Sequence, residues 1–282
     1  MARRLSRKAR CGVGCALALV LAWGIRAQAA SDEPVAVDTI APAESAPIAS
    51  AGDGRRTLGR LPANFGRGLV GVFHMDNVVP FLVGGGAASG SALLDDNVRN
   101  RIKGDHIQSL GWGHGFQSGA GPIWSSAFVV GMFTAGRFAE QGTRFRAMTY
   151  DMLDATLVNL AYTEALKLAV GRERPNGQDN KSFPSGHASN AFALAAVAER
   201  LYGWRVGIPA YALAGVVGAS RIEQDKHWLS DVVAGATLGY IVGRTVVRVN
   251  GRASAKPDTK TTLSLSPIVS RGARGLQMSL AF

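Results

Sequence analysis

Three short polar clusters interrupt an otherwise apolar, Ala- and Gly-rich stretch between Lys167 and Asp231. The first is Lys167-Leu168-Ala169-Val170-Gly171-Arg172-Glu173-Arg174-Pro175. The second is Pro184-Ser185-Gly186-His187. The third runs from Ser220-Arg221 to His227 and Asp231. Together they supply cations at Lys167, Arg174 and Arg221, two imidazoles, a carboxylate and a Gly-containing turn ahead of a helical run. That inventory suits a trianionic phosphoryl group under nucleophilic attack.

The spacings carry geometric expectations. Lys167 and Arg174 lie seven apart, about two helical turns, so one helix face would present both. Pro175 would end that helix, because its ring disfavours the helical conformation in the residue before it. Ser185 stands at the expected N-cap of an Ala-rich helix, and Gly186 lets backbone approach a ligand closely. The free N–H groups and positive dipole end of that helix would face an anion, with His187 on the same turn. His227 and Asp231 are four apart. One helical turn would let the carboxylate hold one ring nitrogen as N–H and leave the other as nucleophile or base. Arg221 adds a planar fork matched to phosphate oxygens.

These clusters resemble the signature of the type-2 phosphatidic acid phosphatase superfamily, which includes lipid phosphatases, bacterial class A acid phosphatases and vanadium haloperoxidases. Its pattern is Lys-x6-Arg-Pro, then Pro-Ser-Gly-His, then Ser-Arg-x5-His-x3-Asp. Every specified position is present here in order, and the likeness extends over roughly 111–248. The resemblance implies an all-α helical bundle. It implies that His227 attacks phosphorus to form a phosphohistidine, with Asp231 orienting the ring. His187 would protonate the leaving oxygen and then activate water. Lys167, Arg174, Ser185, Gly186 through its N–H, and Arg221 would hold the phosphoryl oxygens. No metal or other cofactor is expected, since the cations are built in; vanadate would bind as a phosphate-like inhibitor. The alternatives are a haloperoxidase that keeps vanadate as its cofactor, with His227 as axial ligand, and a non-catalytic envelope protein.

Around this core the chain divides by composition. Residues 1–30 read as a secretory signal: a basic start through Arg10, an apolar stretch from Cys11 to Ile25, and small residues at Ala27-Gln28-Ala29. Both cysteines fall within it, so the remainder has no disulfide. Six of the 31 basic residues and none of the 20 acidic ones lie there, which leaves the rest at +5 against +11 overall. That balance, with no basic–aromatic ladder, gives no reason to expect nucleic acid as a partner. Residues 31–54 read as a disordered Ala/Pro/Ser linker. Residues 55–250 are expected to form the helical phosphatase domain, with the motif core at 167–231. Residues 251–282 form a tail whose alternating apolar residues predict a β-hairpin.

Within the domain, helices are expected over 64–81, 78–94, 122–135, 146–170, 188–201, 205–220 and 231–248. Gly235, Gly239 and Gly243 fall four apart on one stripe, where another helix could approach closely. Trp112 and His114 could line the mouth of the pocket. Spanning a bilayer takes about 20 mostly apolar residues. The uncharged runs are shorter than that, which favours a periplasmic helical domain over an inner-membrane protein with a periplasm-facing site. The expected partner is a phosphorylated small molecule or a phospholipid, with contact to a membrane surface alongside it.

Overall fold

The computed structural model describes residues 53–104, 121–251, 262–270 and 273–281. The expected signal, nearly all of the linker, and the loop holding Trp112 and His114 lie outside the described residues. The described helices are α1 (Leu61–Gly71), α2 (Val78–Ser91), α3 (Asp95–Gly104), α4 (Gly121–Phe138), α5 (Arg144–Val170), α6 (Gly186–Tyr202), α7 (Trp204–Glu223) and α8 (Leu229–Gly251). Near the C-terminus β1 (Thr262–Ser270) and β2 (Ala273–Ala281) pair antiparallel, with Leu263 opposite Leu280 and Leu265 opposite Met278.

The bundle is centred on α8, which packs against α6, α2, α5 and α1. The glycine stripe makes the central contact. A Cβ on Gly235 would sit 2.5 Å from the Ser185 carbonyl oxygen, and one on Gly239 would overlap the Ser189 carbonyl. A Cβ on Gly243 would crowd the Ala193 carbonyl. The α6 and α8 backbones therefore touch directly, with Ala193 and Ala196 filling the seam. Val158 of α5, Val197 of α6, and Ile241, Val242 and Val246 of α8 complete a fully buried core. This seam fixes where α6 begins relative to α8, and both helix starts carry site residues.

Two helix boundaries differ from the sequence expectation. The 64–81 run is broken: α1 ends at Gly71 and α2 starts at Val78. The buried Asn77 amide donates to the carbonyls of Gly71 and Val72, which satisfies the end of α1 and turns the chain. The Lys167 helix stops at Val170, not before Pro175. Gly171 takes a left-handed conformation (φ 57°) and its N–H bonds to the Lys167 carbonyl, a glycine C-cap. Arg174 therefore sits on a loop and reaches the site from a different direction than Lys167.

The outer surface is unusually apolar. On α2, Val79, Leu82 and Val83 are exposed; on α4, Phe128 and Phe138; on α7, Trp204, Ile208 and Leu213. Among the described residues α8 is long and apolar enough to cross a bilayer, with a mean hydropathy of 1.3 over its best window. The shorter runs counted along the sequence understated it, because its helix continues past Arg244. Yet 44% of that window is buried inside the bundle.

Candidate active site

Backbone hydrogen bonds draw the three clusters together. The Ser185 N–H donates to the Asp231 carbonyl (3.0 Å), joining the second cluster to the third. The Asn176 N–H donates to the Asp225 carbonyl (3.1 Å), and Arg174 Nη1 donates to the Lys226 carbonyl (3.3 Å), joining the first to the third. The ammonium of Lys167 lies 3.5 Å from where a Cβ on Gly186 would stand, so it rests against the first turn of α6. Gly186 thus leaves room for a cation as well as for an approaching oxyanion.

The donors inside this convergence are poorly satisfied. Arg221 is 3% exposed, and among the described residues no carboxylate pairs with it; its nearest partner is Ser220 Oγ at 3.4 Å. Burial pulls the Arg221 guanidinium below its ordinary range. Ser185 Oγ and His187 Nε2 are buried with no hydrogen-bond partner. Ser185 occupies the N-cap position of α6, but its hydroxyl caps nothing, contrary to the sequence expectation. Buried polar groups normally find partners, so a cation without a described carboxylate, beside a hydroxyl and a ring nitrogen left over, describes a site for an anion. The other two cations are paired towards solvent: Lys167 Nζ with Glu164 (2.6 Å) and Arg174 Nε with Asp179 (2.6 Å). Both of those carboxylates are exposed, so the pairs are weak and an incoming phosphoryl group can compete for the cations.

The orientation of His227 differs from expectation. Asp231 Oδ2 is 3.9 Å from the ring Nδ1, too far for a hydrogen bond. Nδ1 instead meets the Ser182 backbone carbonyl at 2.7 Å. A carbonyl only accepts, so Nδ1 carries the proton and the Nε2 lone pair is left for chemistry. His227 precedes the first turn of α8, which is why the four-residue spacing does not bring the carboxylate onto the ring. Asp231, fully buried, acts one step back. It accepts from Ser182 Oγ (2.5 Å), from the Trp228 N–H (2.9 Å) and from Arg172 Nη1 (2.6 Å). The sequence alone gives Ser182 and Arg172 no role, although Ser182 lies two residues before the second cluster and Arg172 within the first. Lys226 was also passed over, and its charge bears on His187.

Both imidazoles are neutral at pH 7. Burial, with the charges of Arg221, Lys167, Lys226 and Arg174, pushes His187 down to about 4. Burial and the charge of Arg174 push His227 down to about 3, against the Ser182 carbonyl, which favours the protonated ring. A neutral His227 is the state a nucleophile needs. A bound phosphoryl dianion would offset the surrounding cations and raise His187 towards the range of a working acid. The linkage has a definite sign. Each ring binds its proton more weakly folded than unfolded, so each costs stability as pH falls from the ordinary value of 6.5 towards its folded value. Asp154, raised to about 6 by burial, pulls the other way. The readout is therefore a difference: from about pH 7 to 5, His187→Gln should lose less Tm than the parent protein. Equal losses in the two would show that His187 is not held in its neutral form.

Comparison with known proteins adds to this geometry. Residues 150–254 match the PAP2 superfamily. The lipid A 1-phosphatase of Porphyromonas gingivalis is 30% identical over 180 residues, which cover 62% of this chain and 40% of that protein. The lipid A 4'-phosphatase of Helicobacter pylori is 32% identical over 68 residues, covering 24% of this chain and 34% of that one. The chain thus spans well under half the length of these curated relatives. A transmembrane PAP2-type phosphatidylglycerolphosphate phosphatase from Bacillus subtilis superposes with a TM-score of 0.42 at 19% identity, covering 70% of this chain and 98% of that one. All three motifs converge on one site inside the segment, residues 150–254, that matches the PAP2 superfamily.

Proposed function

We propose that this protein is a metal-free phosphatase that hydrolyses phosphate or diphosphate groups on lipids through a phosphohistidine on His227. The carrying observation is a set of buried, poorly satisfied groups: Arg221, which no described carboxylate pairs with, and Ser185 Oγ and His187 Nε2, which have no hydrogen-bond partner. In this reading they, with Lys167, Arg174 and the Gly186 N–H, cradle the phosphoryl oxygens. The Nε2 lone pair of His227 attacks phosphorus while His187, protonated once the dianion is bound, gives its proton to the departing alkoxide. His187 then takes a proton from water, which attacks the phosphohistidine and frees inorganic phosphate. The catalytic unit is the helical domain at 55–250, exported by the 1–30 signal and following the 31–54 linker.

Two features favour a lipid over a soluble ester. The names of the curated relatives are those of lipid A phosphatases. An open apolar groove of about 420 Å³ lies between α2, α6, α7 and α8, lined by Val79, Val83, Phe192, Tyr211, Ala236 and Tyr240. Phe192 is five residues past His187, and Ala236 five past Asp231, an offset of about 7.5 Å along each helix axis. The exposed apolar faces of α2, α4 and α7 fit work at the periplasmic face of a membrane.

A phosphate-release panel on the full chain tests this reading. Lipid A, phosphatidic acid and a polyprenyl diphosphate in micelles should each outrun nucleotides and p-nitrophenyl phosphate in kcat/KM. Burying even two methylenes corresponds to about tenfold. Orthovanadate should inhibit. No phosphate from any substrate would end the phosphatase reading, and peroxide-dependent halide oxidation with added vanadate would replace it with the haloperoxidase one.

A further inference from the structure

We propose that Asp95 and Arg172, neither of which is a specified position of the three motifs, are positioning residues that hold the His227 loop in register with the site. The proposal rests on His227 being the nucleophile, as above. Asp95 opens α3, some 55 residues before the matched family segment, and is 6% exposed. Its Oδ1 accepts the Ser230 N–H (2.9 Å). Its Oδ2 accepts Ser230 Oγ (2.7 Å) and Arg172 Nη2 (2.7 Å). The other arm of the same guanidinium, Nη1, donates to Ser230 Oγ (2.7 Å) and to Asp231 Oδ1 (2.6 Å). Asp231 Oδ2 accepts from Ser182 Oγ, and the carbonyl of Ser182 holds His227 Nδ1–H. A chain of buried and part-buried hydrogen bonds thus runs from α3 through Arg172, Asp231 and Ser182 to the ring atom opposite the attacking nitrogen.

Arg172 lies in sequence between two expected phosphate ligands, yet its fork faces two carboxylates. It is an internal brace, with its charge already offset. A second clamp works beside it. Arg99, one turn along α3, donates to both oxygens of Asp225 (2.6 and 2.8 Å) and to the Pro175 carbonyl (2.7 Å). Asp225 turns the loop in a left-handed conformation (φ 58°), which costs a non-glycine residue strain unless its surroundings hold it. The guanidiniums of Arg99 and Arg172 each lie 5.4 Å from the ring centre of Trp228, the residue after the nucleophile. The loop is therefore gripped on both flanks of His227 by α3 and by the end of the first motif.

Removing the brace has a specific consequence. Burial pushes the Asp231 carboxyl upward, and Arg172 is the chief group pulling it back. Without Arg172 the carboxyl is pushed further upward and loses its brace, so its hold on Ser182, whose carbonyl fixes the His227 tautomer, loosens. A misplacement of about 1 Å can cost about a hundredfold in rate.

The test uses the full chain and the variants Asp95→Asn, Arg172→Gln and Ser230→Ala. The first two should lower kcat by about 10- to 100-fold with KM changed less than about threefold, since the phosphate ligands are untouched. The double variant should be little worse than either single one, because both break one chain. In NMR, the His227 Nδ1–H resonance should be resolved in the parent protein and lost to fast exchange in the variants, a readout that needs no substrate. If the charge-removing variants fail to fold, Ser230→Ala, which loses one hydroxyl, decides the matter by the same two readouts. An unchanged kcat with the Nδ1–H signal intact, or a loss confined to KM, overturns the proposal. If the parent protein releases no phosphate at all, the phosphatase reading fails, while the NMR arm still reports whether Asp95 and Arg172 hold the ring.

Discussion

His227→Ala is expected to abolish phosphate release, by about 10⁴-fold or more, the loss typical when a covalent nucleophile is removed. The ring is 4% exposed, neutral, and held as the Nδ1–H tautomer by the Ser182 carbonyl, which leaves Nε2 as the attacking group of the proposed mechanism. No second neutral nitrogen can substitute from the same direction, because His187 stands on a different element, the first turn of α6. His187→Ala should fail differently. With lipid substrates its turnover should collapse, since no acid serves the alkoxide. With p-nitrophenyl phosphate, whose leaving group needs no proton, it should still give a burst of nitrophenolate followed by slow turnover. Rapid quench into alkaline detergent with radiolabelled substrate, followed by counting of base-stable, acid-labile phosphoprotein, separates the two. Wild-type turnover persisting in His227→Ala would sink the mechanism outright.

The second large effect concerns stability. Gly239→Ala should lower the unfolding free energy by about 3 kcal/mol, with a fall in Tm of about 6–12 °C. The added Cβ would overlap the Ser189 carbonyl oxygen, and would lie 2.8 Å from that carbonyl carbon and 2.9 Å from the Ala193 nitrogen. These are backbone atoms of a helix, so relief requires α6 and α8 to separate rather than one side chain to swing. Activity should fall further than stability alone predicts, because α6 carries Ser185, Gly186 and His187 while α8 follows directly on His227. Gly86 is the control. Nothing lies within 4 Å of a Cβ placed there, so Gly86→Ala should be neutral or stabilise by up to about 1 kcal/mol. Thermal unfolding of both variants, followed by phosphate release at a temperature where each is folded, checks the pair. Equal Tm values would show that the α6–α8 seam is looser than its geometry requires.

Much of the candidate site was legible in the linear chain because it is written as motifs. Lys167, Arg174, Ser185, Gly186, His187, Arg221, His227 and Asp231 sit in three runs whose local turns and helix starts bring the residues of each run near one another. The glycine stripe was legible for a similar reason: a four-residue period marks one helix face whatever it packs against. Boundaries were harder. Arg174 was expected on the helix that carries Lys167, but Gly171 caps that helix four residues before Pro175 could. Both signals were present, and periodicity alone could not rank them.

What the chain decides by itself, then, is the chemistry on offer and the helices that carry it, since these follow from residue type and short-range spacing. Tertiary structure alone decides who holds whom. Asp231 leaves the His227 ring to a backbone carbonyl, which no residue identity announces. Asp95 lies 135 residues from Ser230, and nothing in either local pattern marks them as partners. Hydrogen bonds of that kind depend on how whole helices dock. Docking is set by summed packing along seams such as α6 on α8, which no short window of sequence contains.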